Sequence, residues 1–282
     1  MAIWRRSGTP DKSEVVDVTT LDSIKKEQQL ATYQGEDRVE PGNILLEHAK
    51  RKNPVSICVL SKIPTLDRTL GTFEAGELTV ISGPTGSGKT TLCRSLTMSF
   101  SEQSMPSLWF SFEMPWKQFL SKFHEDYLPR FYGPLTLSQK SVTWIEERII
   151  EAKLKYGVSI IFADHLHFLL DLARVKYASI EIGEIVRSLK LLALKHNLIF
   201  FLIAHTVKVR EDREFGLGDA RDSGLIEAEA DNVLYIWRDK KKENCSILKV
   251  AKNRKHGIIE KKIPLILTRE YGVERYYEET KE

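Results

Sequence analysis

Residues 83–90 read Gly-Pro-Thr-Gly-Ser-Gly-Lys-Thr, between the apolar run Glu77–Ser82 and the helically spaced stretch Thr90–Phe100. This is Gly-x4-Gly-Lys-Thr, the P-loop pattern, in the strand–loop–helix setting that its mechanism needs. No other feature constrains the fold as strongly. A strand must deliver the loop, a helix must leave it, and the first amides of that helix must point at an anion. Gly83, Gly86 and Gly88 let the backbone close around phosphate, and Pro84, Thr85, Ser87 and Thr91 complete the expected binding set. Lys89 is placed to reach β- and γ-phosphates, and the Thr90 hydroxyl to bind magnesium. The expected ligands are ATP, or another nucleoside triphosphate, and Mg2+.

The rest of the chain fits such a loop. Ser107–Phe112, Ser159–Ala163, Leu198–Ala204, Asn232–Trp237 and Ser246–Ala251 read as further strands. Between them, Val142, Ile145, Ile149 and Ala152 share one helical face, with Gly157 as a stop. Ile182, Ile185, Val186, Leu189 and Leu192 form a second helical stripe. Strands apolar on both faces and separated by helices predict an α/β fold, a mostly parallel central sheet flanked by helices. Residues 1–55 differ. They are polar, with short helices expected near Leu21–Tyr33 and Asn43–Lys52, and they read as an N-terminal arm or linker. Residues 56–282 read as the nucleotide-binding domain.

Composition excludes several alternatives. With 42% hydrophobic and 29% charged residues, the 282-residue chain is neither disordered, collagenous nor coiled coil. Its longest apolar run, Leu198–Ala204, is far short of the roughly 20 residues of a membrane helix. The first residues lack a signal-peptide core, and three separated cysteines suit a reducing compartment, so the expected location is cytoplasmic. The net charge of +3 is uninformative, but residues 238–262 carry ten Lys and Arg against three acids. That excess suits phosphate or nucleic acid, or simply a solvated surface.

Three strand ends carry further chemistry. Asp164 closes the run Ser159–Ala163, where a second magnesium-side ligand belongs. Glu113 follows Ser107–Phe112 and is expected to activate water. His205 follows Leu198–Ala204, within reach of a γ-phosphate. His165 and His167 form a His-x-His pair of a kind that can hold zinc, but a third ligand at suitable spacing is missing and the P-loop already accounts for Asp164, so one histidine is expected to pack and the other to meet solvent.

In order, the chain carries GELTVISGPTGSGKTTL, FSFEMP, IIFADHLHFL, LIAHTVK, DARDSGLIEAEADNVLYIWRD and KVAKNRKHG. This series resembles the ATPase domain of DnaB-type replicative helicases, the superfamily 4 ring helicases, over roughly residues 60–267. The resemblance implies a RecA-like fold and a homo-oligomer, a ring of six with ATP at each interface. It places the catalytic glutamate on Glu113, the Walker B aspartate on Asp164 and the phosphate sensor on His205. A histidine there is similar to the phage and mitochondrial primase-helicase branch. It implies that Arg221 and the Gly224 amide hold a DNA phosphate, with Asp222 ordering the loop. It puts a Lys-x-Arg pair, acting on a neighbouring subunit's nucleotide, on Lys252 and Arg254. Residues two apart on a strand do project together. The implied partners are single-stranded DNA and a separate primase or loader, with no membrane. Only the polar arm precedes the P-loop domain, where the family carries a further domain, which suits a compact, phage-encoded helicase. The sequel His165-Leu166-His167 also departs from the bacterial pattern. Competing readings are a RecA- or KaiC-like ATPase without unwinding, and a plain regulatory P-loop module.

Overall fold

The computed structural model describes residues 38–52, 57–124, 128–137, 141–165, 178–205, 223–270 and 273–279, with a few positions between 25 and 35 and position 126. The chain divides into two units, residues 1–55 and 56–282. In the first, helix α1 (Gly42–Lys52) covers the stretch expected to be helical, and the described positions Lys25, Lys26, Gln28, Gln29 and Ala31 are helical as well.

The second unit opens with a small antiparallel pair, β1 (Cys58–Val59) and β2 (Phe73–Glu74), around the short helix α2 (Pro64–Leu70). Strand β3 (Leu78–Gly83) then feeds the P-loop and helix α3 (Lys89–Glu102). There follow β4 (Ser107–Ser111), α4 (Trp116–Leu120), β5 (Phe131–Tyr132), α5 (Val142–Tyr156), β6 (Ile160–Asp164), α6 (Ala178–His196) and β7 (Ile199–His205). After residues 206–222, which lie outside the described set with Arg221, Asp222 and Phe215, come α7 (Ser223–Glu229) and β8 (Asn232–Arg238). The chain ends in β9 (Cys245–Asn253), β10 (Gly257–Glu270) and β11 (Val273–Glu278).

The main sheet has the order β11-β10-β9-β8-β3-β7-β6-β4-β5. From β8 to β5 every pairing is parallel, as expected; β9, β10 and β11 extend the sheet as an antiparallel meander. Side chains alternate between the two faces. Phe200, Leu202 and Ala204 of β7 pack on one face with Ile145 and Ile149 of α5 and Ile182, Val186 and Leu189 of α6. Ile199, Phe201 and Ile203 pack on the other with Leu92, Leu96 and Phe100 of α3. There Phe201 lies 5.0 Å from Phe73, 4.7 Å from Phe162 and 5.6 Å from Phe100 between ring centroids. Helix α5 is bounded as its sequence predicts. Ser141 Oγ accepts from the Trp144 amide at 3.2 Å, and Gly157 ends the helix in the left-handed conformation.

This arrangement fixes which residues can meet. The parallel strands place Gly83, Asp164, His205 and Arg238 at one edge, with Glu113 just beyond β4. Strand β9 runs the other way, so Lys252 pairs with Val233 near the start of β8. Lys252 and Arg254 therefore lie at the opposite edge, about 17 Å along β8 from its P-loop end at 3.3 Å per residue. We expect Phe201→Ala to cost about 3–5 kcal/mol in urea unfolding, because it empties the middle of a close-packed aromatic cluster. A loss below about 1 kcal/mol would contradict that packing.

Candidate nucleotide site

The P-loop sits where two constraints on its glycines act together. Gly88 caps α3 with φ 98°, a left-handed value, and a Cβ there would lie 2.3 Å from the Tyr276 hydroxyl. A Cβ on Gly83 would lie 2.1 Å from the Ile236 carbonyl oxygen of β8. The loop is thus pressed against the sheet on one side and against β11 on the other. Lys89 is buried and its ammonium donates to the carbonyls of Gly83 at 2.9 Å and Pro84 at 2.8 Å. Burial lowers its pKa, and the nearby carboxylates of Asp164 and Glu113 oppose that shift.

Beneath the loop, the Thr90 hydroxyl donates to Asp164 Oδ2 at 2.7 Å. Asp164 is 1% exposed, and its other oxygen, Oδ1, is buried with no hydrogen-bond partner among the described residues. Burial raises the pKa of this carboxyl to about 6, against the lowering effect of the Thr90 hydrogen bond. A buried carboxylate with one oxygen on a threonine hydroxyl and one unmatched is short of positive charge. These two residues therefore fit a hard divalent cation with oxygen ligands, such as Mg2+.

The neighbouring strand ends close in on the same point. The amides of Phe112 and Glu113 both donate to the Asp164 carbonyl, at 2.7 and 3.2 Å, which ties the end of β4 to β6. The Glu113 carboxylate reaches His165 Nδ1 at 3.2 Å, and the rings of His165 and His205 meet edge to face at 4.3 Å. His205 pairs in register with Gly83. Glu113, Asp164, His205, Lys89 and Thr90 are thus assembled at one sheet edge. His165 joins them as a buried residue; its partner in the His-x-His pair, His167, lies outside the described residues.

Two residues at the loop escaped sequence reasoning. Arg238, at the end of β8, donates from Nε to the Gly86 carbonyl at 3.0 Å. Tyr276 packs over Gly88 and shares a hydrogen bond with Ser246 at 3.0 Å. Arg238 was hidden as the first residue of the basic run. The strand-end position would have singled it out.

Several cations of the basic run are paired with acids. Lys242 pairs with Glu279 at 2.7 Å, Lys249 with Glu260, and Lys255 with both Glu74 at 2.6 Å and Glu77 at 2.9 Å. Lys252 donates to the carbonyls of Glu227 at 2.6 Å and Ala230 at 3.0 Å, and Arg254 to those of Ala228 and Glu229, both at 3.2 Å. The pair thus grips the C-terminal turn of α7, where carbonyls gather negative charge. Asp231, buried, accepts from the Leu78 amide at 2.8 Å and Lys190 at 2.5 Å, and holds Arg254 Nε at 3.2 Å. Gly224 lies in the first turn of α7, exposed, and among the described residues nothing lies within 4 Å of a Cβ placed on it.

Fold and loop together define a RecA-like P-loop domain. Residues 136–271, just under half of the chain, match the protein family described as DnaB-like helicase C terminal domain. The replicative DNA helicase DnaB of Geobacillus stearothermophilus is 25% identical over 238 residues, 69% of this chain and 52% of that protein. The DnaB protein of Rickettsia felis is 32% identical over 102 residues, 35% of this chain and 21% of its own length. The chain thus spans about a fifth to a half of these relatives. Among solved structures, an isolated ATPase domain superposes with a TM-score of 0.67 at 22% identity, covering 84% of this chain and 99% of that one. A DnaB-like replicative helicase, solved for its interactions with primase, gives 0.66 at 20% identity over 92% of this chain and 71% of that one. The resemblance to DnaB-type helicases read from the motifs stands on these matches.

Arg238→Ala should weaken nucleotide binding about 3- to 10-fold. It removes one charged hydrogen bond, from an exposed guanidinium, that restrains the loop. Titration with a fluorescent ATP analogue measures this, and unchanged affinity would exclude Arg238 from shaping the loop.

Proposed function

We propose that the chain is the motor domain of an ATP-dependent, ring-shaped DNA helicase that moves along single-stranded DNA and separates duplex during replication. Lys89 and the amides of residues 83–90 bind the triphosphate, and Thr90 and Asp164 hold magnesium. When bound, the ion neutralises phosphate charge and orients the γ-phosphoryl group. Glu113 polarises the attacking water. Its carboxylate is half-exposed, so water can reach it, and its backbone is fixed by the Asp164 carbonyl. His205 sits beside Gly83 and reports the presence of the γ-phosphate to the segment that follows it.

The observation that carries the ring reading is the direction of β9. It delivers Lys252 and Arg254 to the sheet edge opposite their own P-loop. They cannot serve the nucleotide bound to their own chain, but a neighbouring copy's nucleotide can meet them. Such an arginine supplied in trans contributes about 10³–10⁵ in rate in other NTPases. The same pair grips the end of α7, and Ser223 and Gly224, the last two residues of the Arg221–Gly224 motif, open that helix. The DNA-contacting motif and the trans-acting cations are therefore joined by two turns of helix. Contacts from Arg221, Asp222 and Gly224 to the backbone of single-stranded DNA would be insensitive to sequence and weakened by salt. A separately encoded primase or loader fits the same reading.

Magnesium-ATP hydrolysis is expected to rise with single-stranded DNA, and a forked duplex to be unwound. Hydrolysis without unwinding would favour the filament-forming or signalling ATPase instead. Mixtures of Arg254→Ala and Lys89→Ala subunits should recover part of the activity that each variant lacks alone. Intact rings with no recovery at any ratio would count against action in trans.

A further inference from the structure

The His-x-His pair lacked a third ligand in the sequence, and the fold supplies one from elsewhere. Strand β6 lies between β4 and β7. The residues just past the ends of these strands therefore converge: Glu113 after β4, His165 after β6, and His205 at the end of β7. One ligand atom from each lies within 4.8 Å of the others. Glu113 Oε2 and His165 Nδ1 are 3.2 Å apart, and the two imidazole rings meet at 4.3 Å.

We propose that Glu113, His165 and His205 form a binding site for a borderline divalent transition-metal ion, with zinc as the representative, and that its occupation switches hydrolysis off. Zinc with nitrogen and oxygen ligands at 2.0–2.2 Å sets neighbouring ligand atoms about 3.3–3.5 Å apart. The Glu113–His165 separation, 3.2 Å, lies just below that range. The remaining spread closes by rotation of Glu113, whose side chain is 44% exposed, and of the partly exposed His205. Pairing of β4, β6 and β7 fixes the strand ends that these residues follow or close, the Glu113 amide donates to the Asp164 carbonyl, His205 pairs with Gly83, and His165 is buried.

Donor chemistry separates this site from the magnesium site next to it. Imidazole suits zinc, cobalt and nickel, whereas a threonine hydroxyl and a carboxylate suit magnesium. Two histidines and one carboxylate leave a fourth position for water or a phosphate oxygen, the open pattern of three-ligand zinc sites. Bound metal would hold the Glu113 carboxylate away from water. That consequence rests on the role proposed above for Glu113; the binding does not.

The test uses the full chain, freed of metal, with zinc titrated against a chromophoric chelator. One zinc per chain is expected. Affinity should fall about tenfold or more in both His165→Ala and His205→Ala, and stay unchanged in Cys58→Ser, which removes the exposed thiol. Cobalt should give a visible absorption band that is lost in the same histidine variants. In excess magnesium, zinc should inhibit ATP hydrolysis by the unaltered protein, and His165→Ala should need more zinc for the same fractional inhibition. Zinc binding retained in both histidine variants, or lost in Cys58→Ser, overturns the site. Zinc bound at the site with hydrolysis undiminished overturns the switch and, separately, the role of Glu113.

Discussion

The hydrogen bond from Thr90 to Asp164 joins the two halves on which the site depends. Thr90 stands at the start of α3 and Asp164 at the end of β6, two strands away from β3 in the sheet. The bond therefore fixes the P-loop helix against the strand ends that carry Glu113 and His205. Its setting is costly, because Asp164 is buried and its carboxyl is pushed up to about 6. A chain would be expected to hold an ionisable group in such a place only if something compensates its charge. A cation between phosphate and Asp164 would supply that compensation, and the unmatched Oδ1 is the atom left to receive it.

Distance along the sheet then divides the remaining chemistry. Everything that could serve the chain's own nucleotide lies at the carboxyl edge of the parallel strands, as ligand sites in open α/β sheets do. Lys252 and Arg254 lie at the other edge because β9 turns back. Their hydrogen bonds to α7 give them a second occupation. An arginine cannot hold the Ala228 and Glu229 carbonyls and a neighbour's phosphate with the same nitrogen. In the ring proposed above, an Arg254 Nη2 drawn to a neighbour's phosphate would leave those two carbonyls, and the end of α7 would lose that anchor. Asp231 holds Arg254 Nε at 3.2 Å and accepts from the Leu78 amide at the start of β3.

The parallel core was legible because its strands are apolar on both faces and its helices keep a 3.6-residue period. The meander was legible only in β9, read as Ser246–Ala251. In β10, Glu260, Lys261, Lys262 and Pro264 hide the strand period, and β11 is mostly charged and aromatic. Residues at the P-loop and at the ends of β4, β6 and β7 were legible one by one, since motif and strand position each named them. Their combination was not. The meeting of Glu113, His165 and His205 depends on β6 lying between β4 and β7, which is a fact of strand order. The sequence left the basic run open between phosphate or nucleic acid and a solvated surface. The acids that meet Lys255 and Lys242 are Glu74, Glu77 and Glu279, which are remote in sequence.

In the proposed ring, one edge of the sheet binds nucleotide and the other completes a neighbour's site. The most direct measurement is a structure of the assembled protein with ADP, beryllium fluoride and magnesium. The fluoride is expected against Lys89 of one subunit and Arg254 of the next, with Arg254 released from Ala228 and Glu229. A filled nucleotide site with Arg254 still on α7 of its own chain in every subunit would contradict it.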